Sequence, residues 1–132
     1  IKAFEIIKIN RTNKNRQLRM SFNDIKMTSR LINIDFFLIK NIDDIPICAA
    51  IVFHPMKNIC QVQFWGDIQE YSKFKPMNFL AFKIFQYYKR LNFKIIDLGI
   101  STENSIPNIG LCYFKESVGC KLTTKLNFKI NL

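Results

Sequence analysis

IDFFLIKNIDDIPICAAIVFHPMKNICQVQFW, residues 34–65, decides the fold. Three apolar runs rich in Ile, Val and Phe alternate with two short clusters of Asn, Asp, Lys and Pro. Runs of this length and composition, bounded by turn residues, read as β-strands. The expected strands are Ile34–Ile39, Ile47–His54 and Ile59–Trp65, with turns at Asn41–Pro46 and Pro55–Asn58. Turns this short join antiparallel neighbours. The pair Ala49-Ala50 marks a face that a helix approaches closely. His54, the single histidine, stands before Pro55 and reads as a turn residue.

Upstream, residues 1–14 read as a helix, with Ile1, Phe4 and Ile7 on one face and Lys8, Arg11 and Lys14 following. Asn10 to Arg19 forms its polar end and a loop. Ser21-x-x-Asp24 is a capping-box signature for a second helix over about 21–32. Downstream, Gly66–Lys75 is a polar loop, and Pro76 suits a first helical position. Phe79, Leu80, Ile84, Tyr87, Tyr88 and Leu91 recur at helical spacing and are expected in the core. Lys94–Leu98 reads as a central strand buried on both faces. Ser101–Pro107 is a loop, Asn108–Val118 a short helix, and Gly119 its stop. From Lys121 to Leu132 apolar and polar residues alternate, the mark of a half-buried strand. The order α-α-β-β-β-α-β-α-β gives an α/β domain over residues 1–132, its mixed, largely antiparallel sheet flanked by helices.

With 48% hydrophobic residues and 13 Phe among 132 positions, the chain can build a core, and disorder is excluded. No apolar run reaches the ~20 residues of a membrane span. The start, IKAFEIIKIN, has neither the basic region nor the apolar core of a secretory signal, which points to the cytoplasm. It also lacks Met, as expected for part of a longer protein. Cys48, Cys60, Cys112 and Cys120 form no C-x-x-C pair and read as reduced packing residues. With one His, they give no metal-ligand spacing.

The net charge is +10, and Lys8 to Arg30 holds seven basic residues against the single acid Asp24. Such a surface suits a phosphate-bearing partner as well as plain solubility. A nucleic-acid binder would interleave aromatics with these charges, and only Phe22 does so.

The element order resembles the fold of the GNAT acyltransferases, short of a first strand that would lie upstream of Ile1. Asn108, Lys115 and Gly119 match the spacing of that family's Asn…Tyr…Gly helix signature, with Lys115 where many members carry a Tyr general acid. FWGD (Phe64–Asp67), IDLGIST (Ile96–Thr102) and YFKESVGC (Tyr113–Cys120) are similar to the Fem-type branch, which includes peptidoglycan aminoacyltransferases. NRTNKNRQLRMSFND (Asn10–Asp24) resembles the basic helix-to-helix link of that branch.

The resemblance implies transfer of an acetyl or aminoacyl group from acyl-CoA or aminoacyl-tRNA to an amine acceptor. Acyl-CoA would be a co-substrate; no tightly bound cofactor and no metal are expected. An upstream domain or a homodimer partner is implied as well. The substrates would meet where two sheet strands splay, at Trp65-Gly66-Asp67 and Leu98-Gly99-Ile100. A backbone N–H near Trp65 or Gly66 would polarise the acyl carbonyl, Asp67 would take the amine proton, and Lys115 or Tyr113 would serve the leaving group. Asp97, a carboxylate in an apolar strand, needs a partner and joins the catalytic candidates. Donor-binding candidates are Trp65, Gly66, Asn108 and, at the start of the Pro76 helix, Lys73, Lys75 and Asn78. Acceptor-binding candidates are Arg11, Lys14, Arg16 and Ser101. The family's glycine-rich diphosphate loop would fall in GDIQEYSKFKPMN, which has no glycine after Gly66; Fem-type enzymes lack the motif too. A non-catalytic module of the same fold, binding an anionic ligand or a partner domain, is the alternative.

Overall fold

A computed structural model describes residues 1–124 and 130. The chain divides into two units, residues 1–99 and 100–132.

In the first unit the three expected strands form, each longer than the apolar pattern alone indicates: β1 Ile34–Lys40, β2 Pro46–Met56 and β3 Ile59–Asp67. They pair antiparallel in sequence order, and β4 (Ile95–Asp97) joins β3 in parallel. β2 runs through Pro55 to Met56, and the turn shrinks to Lys57–Asn58 with Asn58 at φ 60°. His54 therefore lies within a strand, not in a turn.

Helix α1 (Lys2–Asn13) lays Ala3, Ile6 and Ile7 on Ala49, Ile51, Phe53 and Phe64, with Ile25 closing the cluster. The next residues along β2, Cys48, Ala50 and Val52, point the other way and are fully buried. On that face Cys48 Sγ lies 3.4 Å from Met77 Sδ of α3 (Pro76–Arg90). The two alanines thus serve different helices, one on each side of the sheet. Leu80, Ala81, Ile84 and Tyr88 form the buried stripe of α3. Phe79, Tyr87 and Leu91 share the expected periodicity but remain largely exposed.

The capping box at α2 (Phe22–Thr28) is complete: Asp24 N–H donates to Ser21 Oγ at 3.2 Å, and Ser21 N–H to Asp24 Oδ2 at 2.7 Å. The helix stops short of Ile32 because Arg30, Leu31 and Ile32 donate to Met27 and Thr28 in tight turns. Most of the expected Gly66–Lys75 loop is ordered: Gly66 and Asp67 end β3, and Gln69–Phe74 is a 3-10 helix. β4 is shorter than Lys94–Leu98 and is the last strand of this sheet among the described residues. Ile95 is 54% exposed, so the strand is not buried on both faces as its apolar run indicates.

In the second unit, Thr102–Glu103 (β5) and Ile106–Pro107 (β6) form a small hairpin where a loop is expected. Its two turn residues, Asn104 and Ser105, both have positive φ, the geometry that matches strand twist. Helix α4 (Ile109–Ser117) is capped by the Asn108 side chain and followed by Gly119 at φ 92°. The alternating segment Lys121–Leu132 falls mostly outside the described residues.

Candidate functional site

β3 and β4 are joined at Ile59↔Ile95, Cys60↔Ile96 and Gln61↔Asp97. There β4 ends, while β3 continues to Asp67. The cause is local. Asp97 Oδ1 accepts the Gly99 N–H at 2.7 Å, and Gly99, at φ 70°, turns the chain out of strand conformation. Among the described residues no strand pairs with this edge of β3 beyond Gln61. Trp65, Gly66 and Asp67 stand at the end of that stretch of β3, with Trp65 buried.

The tip of β3 is fastened to α1 by Asn10, a polar residue only 4% exposed. Its Nδ2 donates to the Asp67 carbonyl at 2.8 Å and to Asp67 Oδ1 at 3.1 Å. A Cβ at position 66 would lie 2.7 Å from Asn10 Cγ. Gly66 is therefore the residue that admits Asn10 to Asp67. Sequence reading missed Asn10, although Ala3, Ile7 and Asn10 lie on one helical stripe, and an amide on an apolar stripe needs a partner. Beside this contact is a hollow of about 330 Å³ lined by Asn10, Asn13, Lys14, Asp67, Gln69 and Ser72.

The last turn of α1 gathers the basic candidates. Asn15, at φ 52°, donates to the Thr12 carbonyl, and Arg16 N–H donates back to the Arg11 carbonyl at 2.9 Å. This helix stop folds Arg16 towards Arg11 and Lys14. Burial, and after it the charge of Arg16, lowers the Arg11 pKa below its ordinary value.

At the start of α3 the backbone donors are largely engaged. Lys75, left-handed at φ 53°, donates to Ser72; Pro76 has no N–H; Asn78 and Phe79 both donate to the Lys75 carbonyl. Lys73 lies over the Phe74 ring, 5.1 Å from its centre.

In the second unit, Lys115 is 8% exposed and its Nζ donates to the Ile100 carbonyl at 3.0 Å. Asn108 Oδ1 accepts the Leu111 N–H, and its Nδ2 donates to Glu103 Oε1. The Ser101 carbonyl accepts the Asn108 N–H at 2.8 Å. The Asn…Lys…Gly spacing thus has a physical content here: helix cap, buried cation, helix stop. Tyr113 is 69% exposed.

A second polar cluster lies at the opposite end of the sheet. Tyr88, fully buried, donates its hydroxyl to Asp35 Oδ2 at 2.8 Å, and His54 Nε2 lies 2.9 Å from the same oxygen. Phe37, Tyr87 and Phe93 pack their rings around Tyr88. Burial, then the Asp35 hydrogen bond, holds the Tyr88 pKa well above the usual phenol value. Among the described residues no group of three or more His, Cys, Asp or Glu is placed to hold a metal ion, and no helix is long and apolar enough to cross a membrane.

Solved structures share this architecture. An aminoglycoside acetyltransferase from an uncultured soil metagenomic sample, crystallised with trehalose and with sisomicin, superposes with a TM-score of 0.67. The match covers 99% of this chain and 88% of that one at 11% identity. A GNAT-family acetyltransferase from Staphylococcus aureus gives a TM-score of 0.63 over 88% of this chain and 73% of that one, at 15% identity. The fold is that of the GNAT acetyltransferases. The aminoglycoside 6'-N-acetyltransferase of Acinetobacter baumannii matches as well, with a TM-score of 0.58 over 86% of this chain and 84% of that one, at 11% identity. No protein-family model matches the sequence, and no curated protein is significantly similar to it.

Proposed function

We propose that the chain is an N-acyltransferase that takes an acetyl group from acetyl-CoA and passes it to an amine. The observation that carries this reading is the edge of β3 beyond Gln61, which no strand covers among the described residues and along which an extended donor would bond to strand backbone. The shared fold of three acetyltransferases supports it.

In this reading the acceptor nitrogen bonds to the acyl carbon while the thioester C–S bond breaks. Asp67 takes the amine proton, a backbone N–H at Trp65 or Gly66 polarises the carbonyl, and the departing thiolate is protonated by Lys115 or Tyr113. Asp97 acts at one remove, holding the turn that ends β4. With few free amides at the start of α3, Lys73 and Lys75, with the Asn78 side chain, would hold the diphosphate by charge and hydrogen bonding. Donor binding should then weaken as salt is raised. The same scarcity of amides favours a second reading, a non-catalytic module that binds an anionic partner.

The test is thermal unfolding of the full chain with acetyl-CoA, CoA or aminoacyl-tRNA, followed by a transfer assay. A donor present at 100 times its Kd should stabilise the fold by about 2.7 kcal/mol. Asp67→Asn keeps an oxygen for Asn10 but loses the base; transfer should fall roughly 10²- to 10⁴-fold with donor binding intact. Stabilisation by aminoacyl-tRNA alone would move the reading to that donor. No stabilisation by any of the three would leave the non-catalytic module.

A further inference from the structure

The hollow beside Asp67 carries charge of both signs. Its walls are the neutral hydrogen-bonding side chains of Asn10, Asn13, Gln69 and Ser72, with one carboxylate, Asp67, and one lysine, Lys14. Asp67 Oδ1 is occupied by Asn10, whereas among the described residues Oδ2 accepts no hydrogen bond. On the α1 side Lys14 is joined by Arg11, three residues earlier on the helix surface. No carboxylate is ion-paired with Arg11 or Lys14 among the described residues. The Lys8–Arg30 segment offers only Asp24, and that carboxylate is engaged with Ser21.

Lys14 at the hollow, with Arg11 one turn away on the helix, favours an anion, and the open Asp67 oxygen favours an amine. From this we infer that the acceptor is an amine that also bears an anionic group, a carboxylate or a phosphate, seated between the end of α1 and the Gln69–Phe74 turn. The inference rests on the acyl transfer proposed above. The amine faces Asp67, and the anion lies against Lys14 with Arg11 behind it. A polycationic acceptor such as sisomicin, bound by the soil-sample enzyme of the same fold, is disfavoured here by Lys14 and Arg11 and by the net charge of +10.

Calorimetric titration of the full chain, saturated with CoA, separates the alternatives. The probes are two matched pairs, glycylglycine against glycylglycinamide and glucosamine 6-phosphate against glucosamine, together with sisomicin. The anionic member of one pair should bind ~10-fold or more tightly than its neutral partner at low salt, and the favoured pair tells carboxylate from phosphate. Lys14→Glu should erase that preference and Lys14→Gln reduce it; both change an exposed residue, and raised salt should act in the same direction. Equal binding within both pairs, tighter binding of sisomicin, or no binding of either anionic probe would overturn the inference. Failure of the acyl-transfer reading shows separately, as a lack of donor binding.

Discussion

The two ends of the central sheet treat their polar groups in opposite ways. At one end Asp35, His54 and Tyr88 satisfy one another within a shell of aromatic rings. At the other, Asp67 shares one carboxylate oxygen with Asn10, and among the described residues the second accepts no hydrogen bond. Along β3 the ends lie roughly 20 Å apart, at about 3.3 Å per residue. A carboxylate fixed entirely by its own protein stabilises the fold; one left half-bonded at a strand end beside a hollow is available to a ligand. The same residue type therefore has structural weight at one end and chemical use at the other.

Substitutions that sharpen this contrast should separate stability from activity. The largest stability effect is expected from Tyr88→Ala, which empties a buried aromatic site; a loss of about 3–5 kcal/mol should appear in urea unfolding. Tyr88→Phe keeps the ring and removes the hydroxyl from Asp35, costing about 1–3 kcal/mol. Donor affinity of the folded fraction should stay unchanged in both. At the open end, Gly66→Ala places a methyl group against Asn10 and should cost about 1–3 kcal/mol, with transfer impaired as Asn10 is displaced from Asp67. Asn10→Ala should cost less stability, about 1 kcal/mol, and again show its main effect in transfer.

Buried thiols along the sheet, together with Tyr88 at the closed end, also set a pH limit. Burial pushes the Cys48 and Cys60 thiols up to about 12, from 9.0 when unfolded, and raises Tyr88 as well. For such groups the native state holds its protons longer than the unfolded chain. Their contribution is complete below about pH 9 and is lost as pH rises towards 12. The unfolding midpoint should thus fall progressively over that range, and Tyr88→Phe should make the upper part of the fall shallower. A midpoint flat from pH 9 to 12 would remove this account of the core.

The β1–β3 meander was legible because strand runs and turn clusters alternate sharply between Ile34 and Trp65. The capping box at Ser21 and the Asn108 and Gly119 helix boundaries were legible because each uses a local hydrogen bond or φ angle. His54 was misread because Pro55 signals a turn locally; the strand continues past it because Asp35 and Tyr88, far along the chain, supply partners for its imidazole. Asn10 was overlooked for the same reason: its partner Asp67 is distant in sequence, and only the fold brings them together. The stretch Gln69–Phe74 carries no helical period long enough to be recognised and forms as a short 3-10 turn leading into Pro76. The candidates Asp67, Gly66, Lys14 and Arg11 do gather at one end of the first unit, whereas Lys73 and Lys75 stand at a helix start whose amides are largely engaged.

Amide hydrogen exchange of the full chain, with and without acetyl-CoA, tests the central claim most directly. A donor lying along β3 beyond Gln61 should slow exchange between Val62 and Asp67 and leave the amides around His54 and Tyr88 unchanged. Protection confined to the α1 end or to the His54 cluster, with Val62–Asp67 unaffected by bound donor, would contradict it.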